Sequence, residues 1–274
     1  MQFEVGCRLR YRVKAPVTFV FNFGVAANAC QQVDRQSLQV NPETAVEEVH
    51  FAEGSRHMRL QVPEGEVAID YRAVGTLLPV RVPMADLCEV PPAVLPLDFV
   101  HYIYPSRYCP SDQLLNFAAR QFGSTERGYA RVAAISDWIR ANVEYVFGTS
   151  NAHTAADDTL LGRRGVCRDF AHLGIALCRA LNIPARFVSG YAQGLQPPDF
   201  HACFEAYLGR SWFLFDPTGL TPLHSIVRIG TGRDAADVSF ATFFGPAQMT
   251  QMEVLYRDVE QEYGIDGTTA LSTC

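Results

Sequence analysis

Over the first ninety residues, apolar and polar positions alternate in short runs. From Phe3 to Val13 the alternation is nearly strict: Phe3, Val5, Cys7, Leu9, Tyr11 and Val13 share one face, and Gln2, Glu4, Arg8, Arg10 and Arg12 share the other. A period of two is that of a half-buried strand. Val17 to Phe23, Val46 to Phe51, His57 to Val62 and Val67 to Val74 repeat the pattern, punctuated by turn signals at Asn41-Pro42, Gly54-Ser55 and Pro63-Glu64-Gly65. Several short strands at this spacing predict an antiparallel β-sandwich.

The pattern changes after prolines 91, 92 and 96, which read as a linker because proline removes ladder donors and holds the chain extended. Beyond them the period becomes helical. Ser111 is placed to cap a short helix over 112–122, and a longer helix follows over 129–143, where Val132, Ile135, Trp138 and Ile139 recur at helical spacing. A third helix starts near Val166 and stops near Asn182, ahead of Pro184. Strands are predicted over 185–191, 201–208 and 211–216. The expected organisation is a sandwich over 1–92, a second unit over 93–264, and a small, polar, flexible tail over 265–274. No internal repeat or low-complexity tract is present.

Composition narrows the class. Of 274 residues, 48% are apolar and 19% charged, which suits a globular chain with a sizeable core. The net charge of -6 argues against binding driven by nucleic-acid phosphates, which needs a basic surface. Neither a signal-peptide pattern nor an apolar run long enough to span a bilayer is seen, so a cytoplasmic protein without membrane association is expected. The eight cysteines are scattered with no C-x-x-C pair, and free thiols are the expectation.

One of these cysteines stands apart. A thiol with a pKa of about 8.5 becomes a nucleophile when its thiolate is stabilised, which a helix N-terminus does through its unpaired N–H groups and its dipole. Cys167 sits where Gly165 ends a loop and an apolar helix begins, with Arg163, Arg164 and Arg168 adding positive charge. Cys178, on the same helix, lies roughly 16 Å farther along the axis with no helix terminus beside it, and reads as core.

A cysteine nucleophile needs a histidine, commonly oriented by a third group. Segments 201–208 (HACFEAYL) and 211–216 (SWFLFD) flank Gly209-Arg210. A two-residue turn there pairs Leu208 with Ser211. Counting back, Glu205 meets Leu214, Cys203 meets Asp216, and His201 meets Thr218. His201 and Asp216 then share a face as diagonal neighbours, ~7–8 Å apart at Cα. A slip of one residue would separate them. His172, about 140° around the helix from Cys167, reads as a packed histidine. Cys167, Asp169 and His172 diverge too far for a metal site, and no loop or carboxylate cluster points to calcium. No metal and no cofactor is expected.

These residues carry a resemblance. GVCRDFAHLGIALCRALNIPARFVSGY, then HACFEAYL, then WFLFDPT, with GTGRDAADVSF at 230–240, resemble the bacterial transglutaminase-like superfamily from about residue 95 to about residue 245. The strand-rich first part is similar to the sandwich that precedes this core in one bacterial branch. The resemblance implies an α+β fold: an antiparallel β-sandwich, then a papain/transglutaminase-like core in which the cysteine helix packs on a sheet carrying the histidine and aspartate. It also implies a catalytic triad of Cys167 as nucleophile, His201 as base and acid, and Asp216 as orienting partner. Many members carry an aromatic residue two positions after the histidine, where this chain has Cys203.

The core supports proteolysis, amide hydrolysis and transamidation. The expected activity is hydrolysis of peptide, isopeptide or other amide bonds through a Cys167 thioester, acting on a protein or peptide substrate. Transamidation, acyl transfer from a thioester donor and a non-catalytic binding module are the alternatives. Homo-oligomerisation is left open.

Overall fold

The structure, a computed structural model, describes residues 1–51, 53–258 and 268–274. Seven strands open the chain: β1 (Gln2–Val13), β2 (Val17–Phe21), β3 (Gln31–Asn41), β4 (Glu47–His50), β5 (Arg56–Val62), β6 (Gly65–Leu77) and β7 (Val80–Pro83). The middle of the chain holds α1 (Leu115–Phe122), α2 (Tyr129–Asn142), β8 (Glu144–Tyr145), α3 (Ala156–Gly162), β9 (Arg164–Gly165) and α4 (Cys167–Ala180). Then come β10 (Ala185–Tyr191), β11 (Phe200–Leu208), β12 (Ser211–Phe215), β13 (Val227–Gly232), β14 (Ala241–Phe244), β15 (Ala247–Asp258) and β16 (Thr269–Ser272). The fold is α+β, as expected. None of the described helices is long and apolar enough to cross a membrane.

The predicted face of β1 is the sandwich core: Phe3, Val5, Cys7, Leu9, Tyr11 and Val13 are each at most 2% exposed. They pack with Phe19 and Phe21 of β2 and with Ile69 and Tyr71 of β6. The Tyr11 ring lies 4.9 Å from that of Phe19. The two sheets run β15-β1-β6-β3 and β14-β2-β5-β4.

Each sheet is therefore completed by a strand from beyond residue 240, and the expected boundary at residue 92 does not separate two self-contained units. Tyr191, Val227 and Ile229 join the same sandwich core. The physical reason is β1: it is central, and one of its two edges is paired by β15 along its whole length. The pattern also does not announce β3, because an edge strand with mostly exposed side chains has no buried face to impose alternation.

The proline-rich segment is not a free linker. It forms short 3₁₀ turns over Pro92–Val94 and Leu97–Tyr102, and its aromatic residues dock on the second unit. Phe99 lies 4.8 Å from Tyr207 and 5.6 Å from Trp212, ring to ring. Ser111 lies in the turn before α1, whose first residue is Leu115 and which carries no side-chain cap.

The expected tail is also corrected over its described part. Thr269–Ser272 pairs with β7, and Ala270, Leu271, Ser272 and Thr273 are buried. A disulfide joins Cys30 to Cys274, Cα atoms 5.7 Å apart, so these two are not free thiols. They lie 244 positions apart in sequence, a separation at which no spacing rule pairs cysteines.

The second unit is built on the antiparallel sheet β12-β11-β10-β13, with α4 across one face. Gly174 makes this possible. A Cβ there would come within 2.5 Å of the Phe204 ring on β11, so only glycine lets helix and strand approach this closely. Gly174→Ala should cost about 1–3 kcal/mol through overpacking, read as a lowered urea midpoint at unchanged slope. Cys30→Ala should lower unfolding free energy by about 2–4 kcal/mol under non-reducing conditions and have no effect on the reduced protein.

Candidate active site

Cys167 is the first residue of α4, after Val166 in extended conformation (φ -116°, ψ 179°). Asp169 secures this entry: its Oδ2 accepts the Val166 N–H at 2.9 Å, and its Oδ1 accepts from the Ser150 hydroxyl at 2.9 Å. Gly165 is required beside it, since a Cβ there would lie 2.7 Å from the Asp169 Cβ. The G-V-C-R-D run is thus a tightly packed helix start that presents the thiol, which is half-buried.

Two of the three arginines expected to enrich this terminus, Arg163 and Arg168, have other tasks. Arg168 donates to Ser150 Oγ at 2.7 Å and to the Asn151 carbonyl. Arg163 lies over the Trp138 ring at 4.7 Å.

The hairpin has the predicted register: Leu208 faces Ser211, Tyr207 faces Trp212, and Glu205 faces Leu214. Gly209 and Arg210 both take positive φ, 53° and 73°, as a two-residue hairpin turn requires. The ladder ends at Phe204–Phe215, and beyond it the chain brings Asp216 back to His201. His201 Nε2 and Asp216 Oδ2 are 2.8 Å apart, with the histidine 2% and the aspartate 4% exposed. Asp216 Oδ1 accepts from the Thr218 backbone N–H at 2.9 Å and its hydroxyl at 2.7 Å. The Asp216 carbonyl accepts from Arg140 at 3.0 Å. Thr218 thereby holds the carboxylate that faces the imidazole.

With Nε2 taken by Asp216, Nδ1 is the imidazole nitrogen left over, and it is buried without a hydrogen-bond partner. Burial pulls the His201 pKa down, but the hydrogen bonds and negative charges of Asp216 and Cys167 outweigh it and raise the value to about 10. The structure therefore pairs His201 with Asp216, and the charge of Cys167 reaches the same ring.

The other candidates are placed as follows. Cys178 is fully buried, with its pKa raised by desolvation. Cys203 is 1% exposed and packs with Val188, Leu214 and Ile226. Burial and the charge of Asp216 push its pKa well up, so it is a packing residue and not an exposed thiol of the cleft. His172 is fully buried and stacked on Tyr108, and its Nε2 accepts the Ala235 N–H at 3.1 Å. Burial, with the charges of Arg168 and Arg179, keeps it neutral. Among the described residues, no group of three or more His, Cys, Asp or Glu is arranged to hold a metal ion.

Two neighbours were not anticipated. Tyr145 on β8 pairs with Gly165 on β9, two residues before Cys167, and its ring packs against Phe147 and Phe170. Burial, then the charge of Cys167, raises its pKa. No spacing rule points to it. Asp199, two residues before His201 and just ahead of β11, is half-buried; burial raises its pKa, against lowering by the Phe200 N–H and the charge of His201.

Two family profiles match the chain: one described as the transglutaminase-like superfamily over residues 116–217, and one as the bacterial transglutaminase N-terminal domain over residues 1–77. A crystal structure of a candidate cysteine protease from Cytophaga hutchinsonii is 43% identical, with a TM-score of 0.95, over 99% of this chain and 97% of that one. An uncharacterised protein of Mycobacterium leprae is 30% identical over 150 residues, 52% of this chain and 53% of its own. One of Mycobacterium tuberculosis is 33% identical over 144 residues, 47% and 46%. The matched region spans about half the length of these mycobacterial relatives.

Because the His201 pKa is raised from 6.5 to about 10, its charged interactions stabilise the fold fully below pH 6.5 and are lost as pH climbs toward 10. Urea unfolding of the wild type and His201→Gln should differ most near pH 6 and converge by about pH 10. A gap that widens with pH would mean that the buried ring is neutral.

Proposed function

The chain belongs to the transglutaminase-like superfamily, and on that footing we propose that it is a cysteine-dependent enzyme that hydrolyses peptide, isopeptide or related amide bonds. The observation that carries this reading is the linkage of Asp216 to Nε2 of His201, which leaves a buried Nδ1 without a partner on a ring that feels the charge of Cys167, the first residue of α4.

In this reading Cys167 passes its proton to His201, and the thiolate attacks the amide carbonyl carbon. The carbonyl π electrons move onto oxygen, which is stabilised by N–H groups at the start of α4. As the tetrahedral intermediate collapses, the C–N bond breaks and the imidazolium protonates the departing amine. A thioester on Cys167 remains. His201 then takes a proton from water, whose oxygen attacks the thioester. Collapse releases the acid, and the returning proton restores the starting pair. Asp216 keeps the ring oriented throughout. An amine in place of water would give transamidation from the same thioester. Hydrolysis is favoured because it needs no second substrate.

Iodoacetamide labelling followed at each thiol by mass spectrometry between pH 5 and 9 tests the reading. Cys167 should react faster than exposed Cys88, most clearly at acidic pH, and His201→Ala should abolish the advantage. Buried Cys7, Cys109, Cys178 and Cys203 should stay silent while the protein is folded. A Cys167 no faster than Cys88 would replace the enzyme with a binding module on the same fold.

A further inference from the structure

An ionised carboxylate accepts hydrogen bonds and never donates them, and that decides which nitrogen of His201 keeps a proton. Nε2 lies 2.8 Å from Asp216 Oδ2, so in the neutral ring, as in the charged one, Nε2 is the donor. Nδ1 is then the bare nitrogen of the neutral ring, and it is buried without a hydrogen-bond partner. The arrangement holds only while Oδ2 stays directed at the ring.

The turn after β12 fixes that direction. In Asp216-Pro217-Thr218 the proline has no N–H, so the first backbone donor after Asp216 is that of Thr218. It reaches back to Oδ1 at 2.9 Å, the bond of an Asx-turn. The Thr218 hydroxyl lies 2.7 Å from the same oxygen and also accepts the Leu220 N–H at 3.2 Å. One of its lone pairs is thus spent on Leu220, and the oxygen in front of it can only accept, so its proton goes to Oδ1. Behind the turn, Arg140 of α2 donates to the Asp216 carbonyl at 3.0 Å and holds the main chain in place. Asp216 is 4% and His201 2% exposed, which leaves little water to replace a lost donor.

Resting on the enzyme reading above, we propose that Thr218 is a positioning residue: its hydroxyl locks Oδ1 so that Oδ2 holds His201 in the Nε2–H tautomer, with Nδ1 ready for the thiol proton. Thr218 acts through Asp216. In the step it serves, the S–H bond of Cys167 breaks as an Nδ1–H bond forms, and Nε2–H is kept throughout. The positive charge that appears on the ring is then met by a carboxylate already turned toward it.

Histidine ¹⁵N NMR on the full chain tests this, with Cys167→Ser as the parent so that the nucleophile's charge plays no part. Signals of His201 are identified by their loss when His201→Gln is added. The neutral ring should show a protonated Nε2 and a bare Nδ1, and should titrate above the ordinary 6.5. Thr218→Val keeps the branched shape and the backbone N–H and removes the hydroxyl. It should lower the His201 midpoint by about one pH unit, the scale of one hydrogen bond to a charged group, and bring the Nδ1–H tautomer into the mixture. Thr218→Ser should keep both midpoint and tautomer. Circular dichroism confirms folding, and Thr218→Ala, which also lacks the hydroxyl, takes the place of a valine variant that does not fold.

A purely structural threonine would change stability and leave the ring alone. An unchanged midpoint and tautomer in Thr218→Val, or a parent ring that is mainly Nδ1–H, overturns the proposal. The enzyme reading is judged separately, in the chain with its thiol, by whether Cys167 outpaces Cys88 toward iodoacetamide. A slow Cys167 beside a His201 that responds to Thr218 would sink the enzyme reading and leave the Thr218–Asp216–His201 linkage standing. A fast Cys167 beside an indifferent His201 would do the reverse.

Discussion

The approach of α4 to β11 is the constraint on which the site depends. Cys167 stands on the helix and His201 on the strand, 34 positions later, so their meeting is set by how the two elements pack. Gly174 lets the helix backbone come down on the Phe204 ring, and Ala202 and Ala206 keep the rest of that strand face low. Close packing leaves little room for adjustment, so a shift at this contact would be transmitted to the thiol–imidazole geometry. Around it, α1, α2 and α3 contribute Ala118, Phe122, Val132, Ile135, Ile139, Ala156 and Leu160 to the same core.

The sheet is held from its other side by buried charge. Glu205, on the same strand as His201, is fully buried between Arg186, whose Nε lies 2.7 Å from Oε2, and Arg228, which binds Oε1. Thr273 donates to Oε1 at 3.0 Å. Burial alone would raise the Glu205 pKa, but the two guanidinium groups overcome this and lower it. Arg186 also lies over the Trp212 ring, 4.3 Å from its centroid. Removing one member of such a cluster leaves an uncompensated buried charge, which is far more costly than never having built the cluster. Through Thr273 and the Cys30–Cys274 bond, the network joins the sheet to the last strand and to the N-terminal sandwich.

The sandwich and the second unit are therefore not beads on a string. β14 and β15 return to complete both sheets, and Gln31 of β3 donates to the Arg228 carbonyl on β13 at 2.8 Å and accepts the Arg228 N–H at 2.7 Å. The segment around Phe99 and Tyr102 covers Tyr207 and Trp212 in the same spirit. The site sheet is braced by elements drawn from both ends of the chain.

Much of this was legible in the sequence, and the reason is local periodicity. The β1 face, α2, α4 and the 201–216 hairpin follow from alternation, helical spacing and a two-residue turn, each a property of contiguous residues. That is why Cys167, His201 and Asp216 could be named together, and why the hairpin register alone put the last two on one face. The tertiary structure decided what depends on remote partners. β15 is drawn onto β1, Cys30 meets Cys274, and the proline-rich segment docks because apolar faces and sheet edges must be covered by whatever part of the chain reaches them. Tyr145 belongs to this second group, since a two-residue parallel pairing with Gly165 brings it beside the start of α4. The fate of the arginines does too, because an arginine's partner is chosen by the folded surface around it and not by its neighbours in sequence.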